Sequence, residues 1–316
     1  MRIIGRRSAA TVAMLAVAGS VGAAGRVPDP YTAPGPLPSL TAGALPARFA
    51  AVHDQIEAAH TVAARTHDTG REGATAGFLT PGRRFLSFDA RGSGRAVEVI
   101  GDLAAADRVA VLVPGADGLL TNFDSWKWAG GGARSLAGQA RREAPGTRLA
   151  VIAWLGYASP STLSDAILTD DRARAAAPTL RGLVGDIHRL NGRAGIALLC
   201  HSYGSVVCGR TGKDGSLPVD EVALFGSPGT TAGSARQIFP VARVWAGRSS
   251  GDWTRFVPHV RRFGLGFGRD PVSPAFGARP FDAGSGPHSA YLKPGSLSLA
   301  NLTRIALGRD AAVTHG

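Results

Sequence analysis

Three short runs, Val109-Ala-Val-Leu-Val113, Leu149-Ala-Val-Ile-Ala153 and Ile196-Ala-Leu-Leu199, contain no polar residue. A strand with one wet face alternates polar and apolar side chains, so runs apolar at every position belong to a sheet covered on both sides. Strands are predicted at 84–88, 96–100, 108–113, 149–154, 195–200, 221–225 and 242–245. Helical stretches at 132–143, 163–190 and 203–211 separate them, and a helix at 296–307 closes the chain. Strand and helix in alternation give an α/β fold: a mostly parallel central sheet with helices on both faces and an antiparallel N-terminal strand pair.

Ahead of this pattern lie three different compositions. Arg2, Arg6 and Arg7 precede an uncharged stretch, residues 8–25, which reads as an export signal cleaved near residues 23–25. A retained anchor is the alternative, but the stretch is short and rich in Gly and Ala. Residues 26–46 hold Pro28, Pro30, Pro34, Pro36, Pro38 and Pro46 and read as a linker. An N-terminal helical segment follows at 47–75, with Phe49, Val52, Ile56, Ala59 and Ala63 on one face, and the α/β domain occupies 76–316. The chain is therefore expected to be secreted or associated with the cell envelope. His53, His60 and His67 are spaced seven apart. Seven helical residues rise roughly 10.5 Å, too far for two imidazoles to share an ion, so they read as a solvated face.

The charge is +12, from 35 Lys and Arg against 23 Asp and Glu, and only Lys127, Lys213 and Lys293 are lysines. The arginines are scattered, with nothing longer than pairs such as Arg83-Arg84 and Arg261-Arg262. No basic stripe of a specific nucleic-acid binder is visible, though nonspecific attraction to anionic surfaces is expected at low salt. Cys200 and Cys208 exclude a disulfide scaffold, and two buried free thiols are expected.

Chemistry concentrates at Cys200-His201-Ser202-Tyr203-Gly204, between an apolar strand and a helical stretch. A serine on such a sharp turn lifts its hydroxyl above the sheet edge, where the helix N-terminus favours negative charge. Cys200 stands where the G-x-S-x-G pattern has its first glycine. A serine hydroxyl needs a base, and the base an orienting acid, in the chain order Ser, Asp, His. Asp252, in the loop after the strand at 242–245, is the preferred acid over Asp270 and Asp282. His288 is preferred as base over His259 and His315. His201 is expected to pack on another side of the turn. Pro114-Gly115-Ala116-Asp117-Gly118 follows the strand at 108–113, and the backbone N–H groups of Ala116 and Tyr203 are the candidate oxyanion donors. Phe123, Trp126, Trp154, Tyr157 and Trp253 follow strand ends and could wall a substrate pocket.

Arg84-Phe-Leu-Ser-Phe88, Val111-Leu-Val-Pro-Gly115, Trp154-Leu-Gly-Tyr157, His201-Ser-Tyr-Gly-Ser205, Gly226-Ser-Pro-Gly229 and His288-Ser-Ala-Tyr291, taken in order, resemble an actinobacterial α/β-hydrolase family catalogued as a domain of unknown function. The resemblance covers roughly residues 82–309. It implies an α/β-hydrolase fold and a Ser202–Asp252–His288 triad. The function expected is a serine esterase acting on a small-molecule or lipid ester through an acyl-enzyme, with no metal or organic cofactor. An acyltransferase using the same residues and a catalytically silent envelope-binding module are the alternatives.

Overall fold

The computed structural model of the chain describes residues 28–213 and 217–315, so the export signal expected at 1–25 lies outside the described residues. Eight strands form one sheet in the order β1-β2-β4-β3-β5-β6-β7-β8. They are β1 (Arg84–Asp89), β2 (Arg95–Ile100), β3 (Arg108–Val113), β4 (Leu149–Leu155), β5 (Gly195–His201), β6 (Glu221–Phe225), β7 (Arg243–Gly247) and the two-residue β8 (Arg279–Pro280). β1 and β2 pair antiparallel, β2 joins β4 antiparallel, and every later pairing is parallel.

The apolar runs feed two cores. Val109, Val111, Ile152, Ile196 and Leu198 point to one face of the sheet, where α4 (Asp171–Leu190) and α5 (Gly204–Gly212) cover them. Their neighbours Ala110, Leu112, Val151, Ala153 and Leu199 point to the other. That face is covered by α1 (Leu45–Arg65), α2 (Thr69–Phe78), α3 (Ala129–Glu143) and α7 (Leu297–Ala306), while the four-residue α6 (Ala235–Ile238) adds to the first. Both faces are buried, as a fully apolar strand requires. α1 contributes Val52, Ile56, Ala59 and Ala63 along the stripe read from the sequence. Ahead of it, Tyr31 is buried and its hydroxyl donates to Asp68 at 2.9 Å. His53 and His67 are exposed, and His60 faces the Thr75 hydroxyl at 3.0 Å.

Two helical expectations differ from the structure. The stretch at 163–190 becomes helical only from Asp171, after a short 3₁₀ turn, Asp165–Leu168. The residues before it are drawn into a loop by Asp117, whose carboxylate accepts from the Thr162 amide at 2.9 Å. The helical segment expected at 47–75 is two helices, α1 and α2, separated at His67, which takes the left-handed conformation at φ 56°. Asp68 caps α2 by accepting from the Arg71 amide at 3.1 Å.

Buried charge clamps the antiparallel end of the sheet to α3. Glu98 on β2 is nearly inaccessible, and Arg83 and Arg134 reach its two oxygens at 2.7 and 2.8 Å. Arg83 also donates to Asp124 at 2.8 Å and lies over the rings of Phe78 and Phe85. Arg134 also reaches Asp124, so both guanidinium groups are shared between a buried carboxylate and an exposed one.

The expectation of free thiols is corrected: Cys200 and Cys208 form a disulfide, and no free cysteine remains. The elbow is sharp enough to fold the second turn of α5 back beside the end of β5, which brings the two Cα atoms to 6.5 Å. That spacing lies within the range a disulfide spans. Closing so short a loop restricts the unfolded chain and stabilises by roughly 2–3 kcal/mol. The Cys200→Ala/Cys208→Ala variant should therefore melt about 5 °C below the wild type, measured by calorimetry. An unchanged melting temperature, or two thiols titrated in the unreduced protein, would remove the bond from the account.

Candidate active site

Ser202 takes the left-handed backbone conformation, φ 52°, between β5 and α5. For a residue with a side chain this conformation is uncommon, and it turns the hydroxyl out of the strand direction. The Ser202 amide donates to the Phe225 carbonyl on β6 at 2.9 Å, which fixes the turn to the sheet. On its other side lies the loop after β3. A side-chain carbon at Gly115 would sit 2.7 Å from the Ser202 Cβ, so only glycine permits this approach.

The sheet edge delivers the partners. Asp252 follows β7 and is fully buried, whereas His288 lies before α7 and is partly accessible. His288 Nε2 is 2.9 Å from Ser202 Oγ, and His288 Nδ1 is 2.9 Å from each Asp252 oxygen. Asp252 also accepts from the Thr254 amide at 2.8 Å and the Tyr291 hydroxyl at 2.5 Å. Burial pushes its carboxyl upward, but His288, Tyr291 and the Thr254 amide together hold it well below the usual carboxylate range. Asp252 is therefore an anion at neutral pH. Burial and the bond to this anion push the Tyr291 phenol far above its ordinary value, so it stays a donor.

The rival residues go elsewhere. Asp270 pairs with Arg248 at 2.7 Å and with His259 at 3.3 Å. Asp282 accepts from the Gly284 amide, and His315 bonds the Pro280 carbonyl. His201 packs against Phe225, His288 and Tyr291, and its Nε2 donates to the His288 carbonyl at 3.0 Å. Burial, with the neighbouring His288 charge second, lowers its pKa to about 3. It is a neutral buttress beneath the first imidazole.

Gly226 has a role that its acid-free loop did not advertise. With φ 56° it passes beneath the pair, where a side-chain carbon would lie 2.9 Å from Asp252 and 3.1 Å from His288. Tyr291 was missed as a site residue. Its signal was present in His288-Ser-Ala-Tyr291, where the tyrosine sits one short turn beyond the histidine.

The loop carrying Ala116 is held from behind. The Tyr157 hydroxyl lies 2.9 Å from the Pro114 and Gly115 carbonyl oxygens, and Ser159 donates to the latter at 2.7 Å. Asp117, itself left-handed at φ 61°, donates its amide to the Pro160 carbonyl at 2.9 Å. These bonds occupy the loop's carbonyls. Neither the Ala116 nor the Tyr203 amide donates to a protein acceptor among the described residues. The Tyr203 ring is buried, and its hydroxyl, pushed up to about 12 by burial above all, donates to the Thr169 carbonyl at 2.8 Å.

The expected aromatic wall differs from what is found. Trp253 alone meets the Ser202–His288–Asp252 chain, its ring centroid 4.8 Å from that of His288. Phe123 is buried against Phe78, 5.4 Å away, beneath α2. Strand alternation turns Trp154 into the core on the α4 side, where it stacks on Tyr157 and lines a separate cavity with Leu40, Arg48 and Leu183. Trp126 is half-buried beside Lys127, and Tyr157 acts through its hydroxyl rather than as a wall. A strand end locates a residue at the correct edge but leaves its face to the alternation.

An uncharacterized protein of Mycobacterium tuberculosis is 31% identical over 263 residues, which cover 71% of this chain and 39% of the relative. An uncharacterized protein of Mycobacterium bovis is 34% identical over 175 residues, 50% of this chain and 62% of the relative. The chain thus spans about two-fifths of the length of the first relative and three-fifths of the second. Among solved structures, esterase PE8 is similar with a TM-score of 0.46 and 17% identity, over 67% of this chain and 96% of that one. Esterase LipW from Mycobacterium marinum is similar with a TM-score of 0.43 and 15% identity, over 81% and 89%. The alpha/beta hydrolase family profile matches residues 89–262, more than half of the chain, and the chain belongs to that family.

Proposed function

We propose that the protein is a serine hydrolase that cleaves carboxylic esters through an acyl-enzyme. The observation that carries this reading is the unbroken hydrogen-bonded chain from Ser202 through His288 to a buried, ionised Asp252. Ser202 Oγ bonds to the ester carbonyl carbon as its proton passes to His288 Nε2, and the carbonyl oxygen gathers negative charge. The amides of Ala116 and Tyr203 are the donors aimed at that charge. As the carbon–oxygen bond to the alcohol breaks, His288 returns the proton to the departing oxygen. Water then repeats the sequence: it loses a proton to His288, bonds to the acyl carbon, and releases the acid with Ser202 reprotonated. Asp252 holds the imidazole orientation and offsets its positive charge without taking the proton.

A disulfide beside the nucleophile favours an oxidising compartment, which supports the proposal that the protein works outside the cytoplasm. N-terminal sequencing of protein from the medium or cell wall should find a start near Ala24 or Gly25. An intact Met1 in a soluble cytosolic pool would overturn that part.

A fluorophosphonate probe should label the wild type once, at Ser202, and should not label Ser202→Ala. Hydrolysis of p-nitrophenyl esters should fall to near background in that variant, a loss of about 10⁴ to 10⁶ in kcat. Full activity would end the serine-hydrolase reading. Asp252→Asn should lower kcat by about 10⁴ while leaving the fold intact, whereas Asp270→Asn should cost little. Tyr291→Phe deletes one hydrogen bond to a charged oxygen and should cost roughly tenfold or more.

The charge states also dictate a pH profile. Asp252 remains ionised and His201 neutral between pH 5 and 8, because both pKa values are lowered. Neither group should therefore contribute a proton to the pH dependence of kcat/KM in this window, and the slope of log kcat/KM against pH should not exceed one. A slope of two would mean that His201 titrates there.

A further inference from the structure

Two loops leave the sheet edge beside Ser202, and both turn apolar side chains outward. The first begins at the acid itself: Trp253-Thr-Arg-Phe-Val-Pro-His-Val-Arg-Arg-Phe-Gly-Leu265. Within it Phe256 is 73%, Val260 63%, Phe263 88% and Leu265 53% exposed. The second holds Leu163, 97% exposed, and Leu168, 53% exposed. They are joined, since Leu265 bridges Thr169 and the Gly266 amide donates to the Leu168 carbonyl at 3.0 Å. The first carries Trp253 against His288, and the second pins Asp117 behind the oxyanion loop. With Trp253, these account for seven of the ten large apolar side chains most exposed among the described residues. Singly exposed apolar residues are ordinary, but such a concentration marks an interaction surface.

Phe263 makes the point alone. Arg262 and Leu265 exchange two backbone hydrogen bonds of 3.0 Å, leaving Phe263 and Gly264 as a two-residue turn at φ 52° and 82°. Such turns favour Asn, Asp or Gly at the first position, and a bulky aromatic there is strained. The fold gains nothing from a phenyl ring pointing into water. The strain is evidence of another use.

Charge narrows the partner. Residues 253–269 include Arg255, Arg261, Arg262 and Arg269 and no acid. Arg261 faces Asp170 at 3.4 Å. Arg255 and Arg262 lie over the rings of Phe256 and Phe263, 4.6 and 4.9 Å from the centroids, with no carboxylate partner among the described residues. Each cation is thus paired with an outward-facing aromatic. Aromatic and aliphatic side chains that enter the acyl boundary beside cations that meet anionic headgroups are the chemistry of interfacial binding. A single-stranded nucleic acid would reward stacking rings, but Val260, Leu163, Leu168 and Leu265 offer it nothing.

We propose that this face docks on an anionic lipid surface, with Phe256 and Phe263 at the acyl boundary and Arg255 and Arg262 among the headgroups. The substrate class is then an ester of a lipid held in that surface and reached by Ser202. This last step rests on the acyl-enzyme reading above, whereas the docking does not.

The test is flotation of the full chain carrying Ser202→Ala, so that no turnover intervenes, with phosphatidylglycerol–phosphatidylcholine vesicles and with phosphatidylcholine alone. Binding to the anionic vesicles is expected, weakening as salt rises. Arg255→Gln/Arg262→Gln should weaken it roughly twenty-five-fold, at about fivefold for each arginine. Phe263→Asn should weaken it about tenfold or more, yet melt no lower than its parent because Asn suits the turn. With Ser202 restored, both variants should still cleave a short water-soluble ester. Five outcomes would overturn the proposal: no flotation, equal binding to both vesicles, variants that bind like their parent (which would assign the binding to the N-terminal stretch), tighter binding to a single-stranded oligonucleotide, or a dimer dissociated by Phe263→Asn. Loss of fluorophosphonate labelling would instead sink the hydrolase reading and leave the docking standing.

Discussion

The structure depends on one close approach: the turn after β5 pressed against the loop after β3. The two strands are parallel neighbours in the centre of the sheet, and Val113 is level with Cys200. Their continuations therefore meet at the carboxyl edge, with Gly115 against Ser202. Because both strands are buried on both faces, neither can shift to relieve the contact without disturbing two cores. The sheet thus acts as a rigid jig. It fixes a serine hydroxyl and a row of backbone amides at one point, before any of the more distant residues arrive.

The residues that arrive are fixed differently. Asp252 and His288 come from irregular loops, where nothing like strand register specifies position. Their geometry is set by hydrogen bonds made at the backs of the side chains. Asp252 is held by the Thr254 amide and Tyr291, and the Tyr291 hydroxyl in turn accepts from the Ser249 amide at 3.0 Å. His288 is held by His201 through its own carbonyl. Each of these supports is buried or neutral at working pH, so the site carries one fixed anion, Asp252, opposite one imidazole. Burial, with the neighbouring His288 second, keeps His201 neutral, so it adds no second charge beside Asp252.

Much of this was legible in the residues, for identifiable reasons. Fully apolar runs give the parallel strands almost to the residue, because burial on both faces leaves no room for polar side chains. The elbow is legible because Ser202 lies between such a run and a helical stretch. Asp252 and His288 follow from chain order and strand ends. What stayed hidden depends on which way a side chain turns. Trp154 and Phe123 lie near the correct edge but face the cores. Cys200 and Cys208 are eight apart along the chain, and only the sharpness of the elbow makes them neighbours. Tyr291 and Gly226 act on the backs of other residues, a relation that spacing in sequence does not encode.

The disulfide and the strained positions belong to the same logic. Where the motif has glycine, Cys200 adds a side chain at the tightest point of the turn and uses it to tie β5 to α5. A residue that departs from the pattern thereby reinforces the geometry the pattern exists to produce. Left-handed backbone at residues other than glycine occurs at five described positions, and four of them, Asp117, Ser202, Thr231 and Phe263, lie in the loops of this one edge. At Asp117 the strain is repaid by bonds to Pro160, Thr162 and Asn122, and at Ser202 by the bond to β6. At Phe263 the turn's own two hydrogen bonds would form as well around an asparagine, and the ring's contact with Arg262 lies at the exposed surface, where it offsets little of the strain. Strain compensated inside the molecule positions the site. Strain left uncompensated, on an exposed aromatic of a loop at the same edge, points outward to what the site meets.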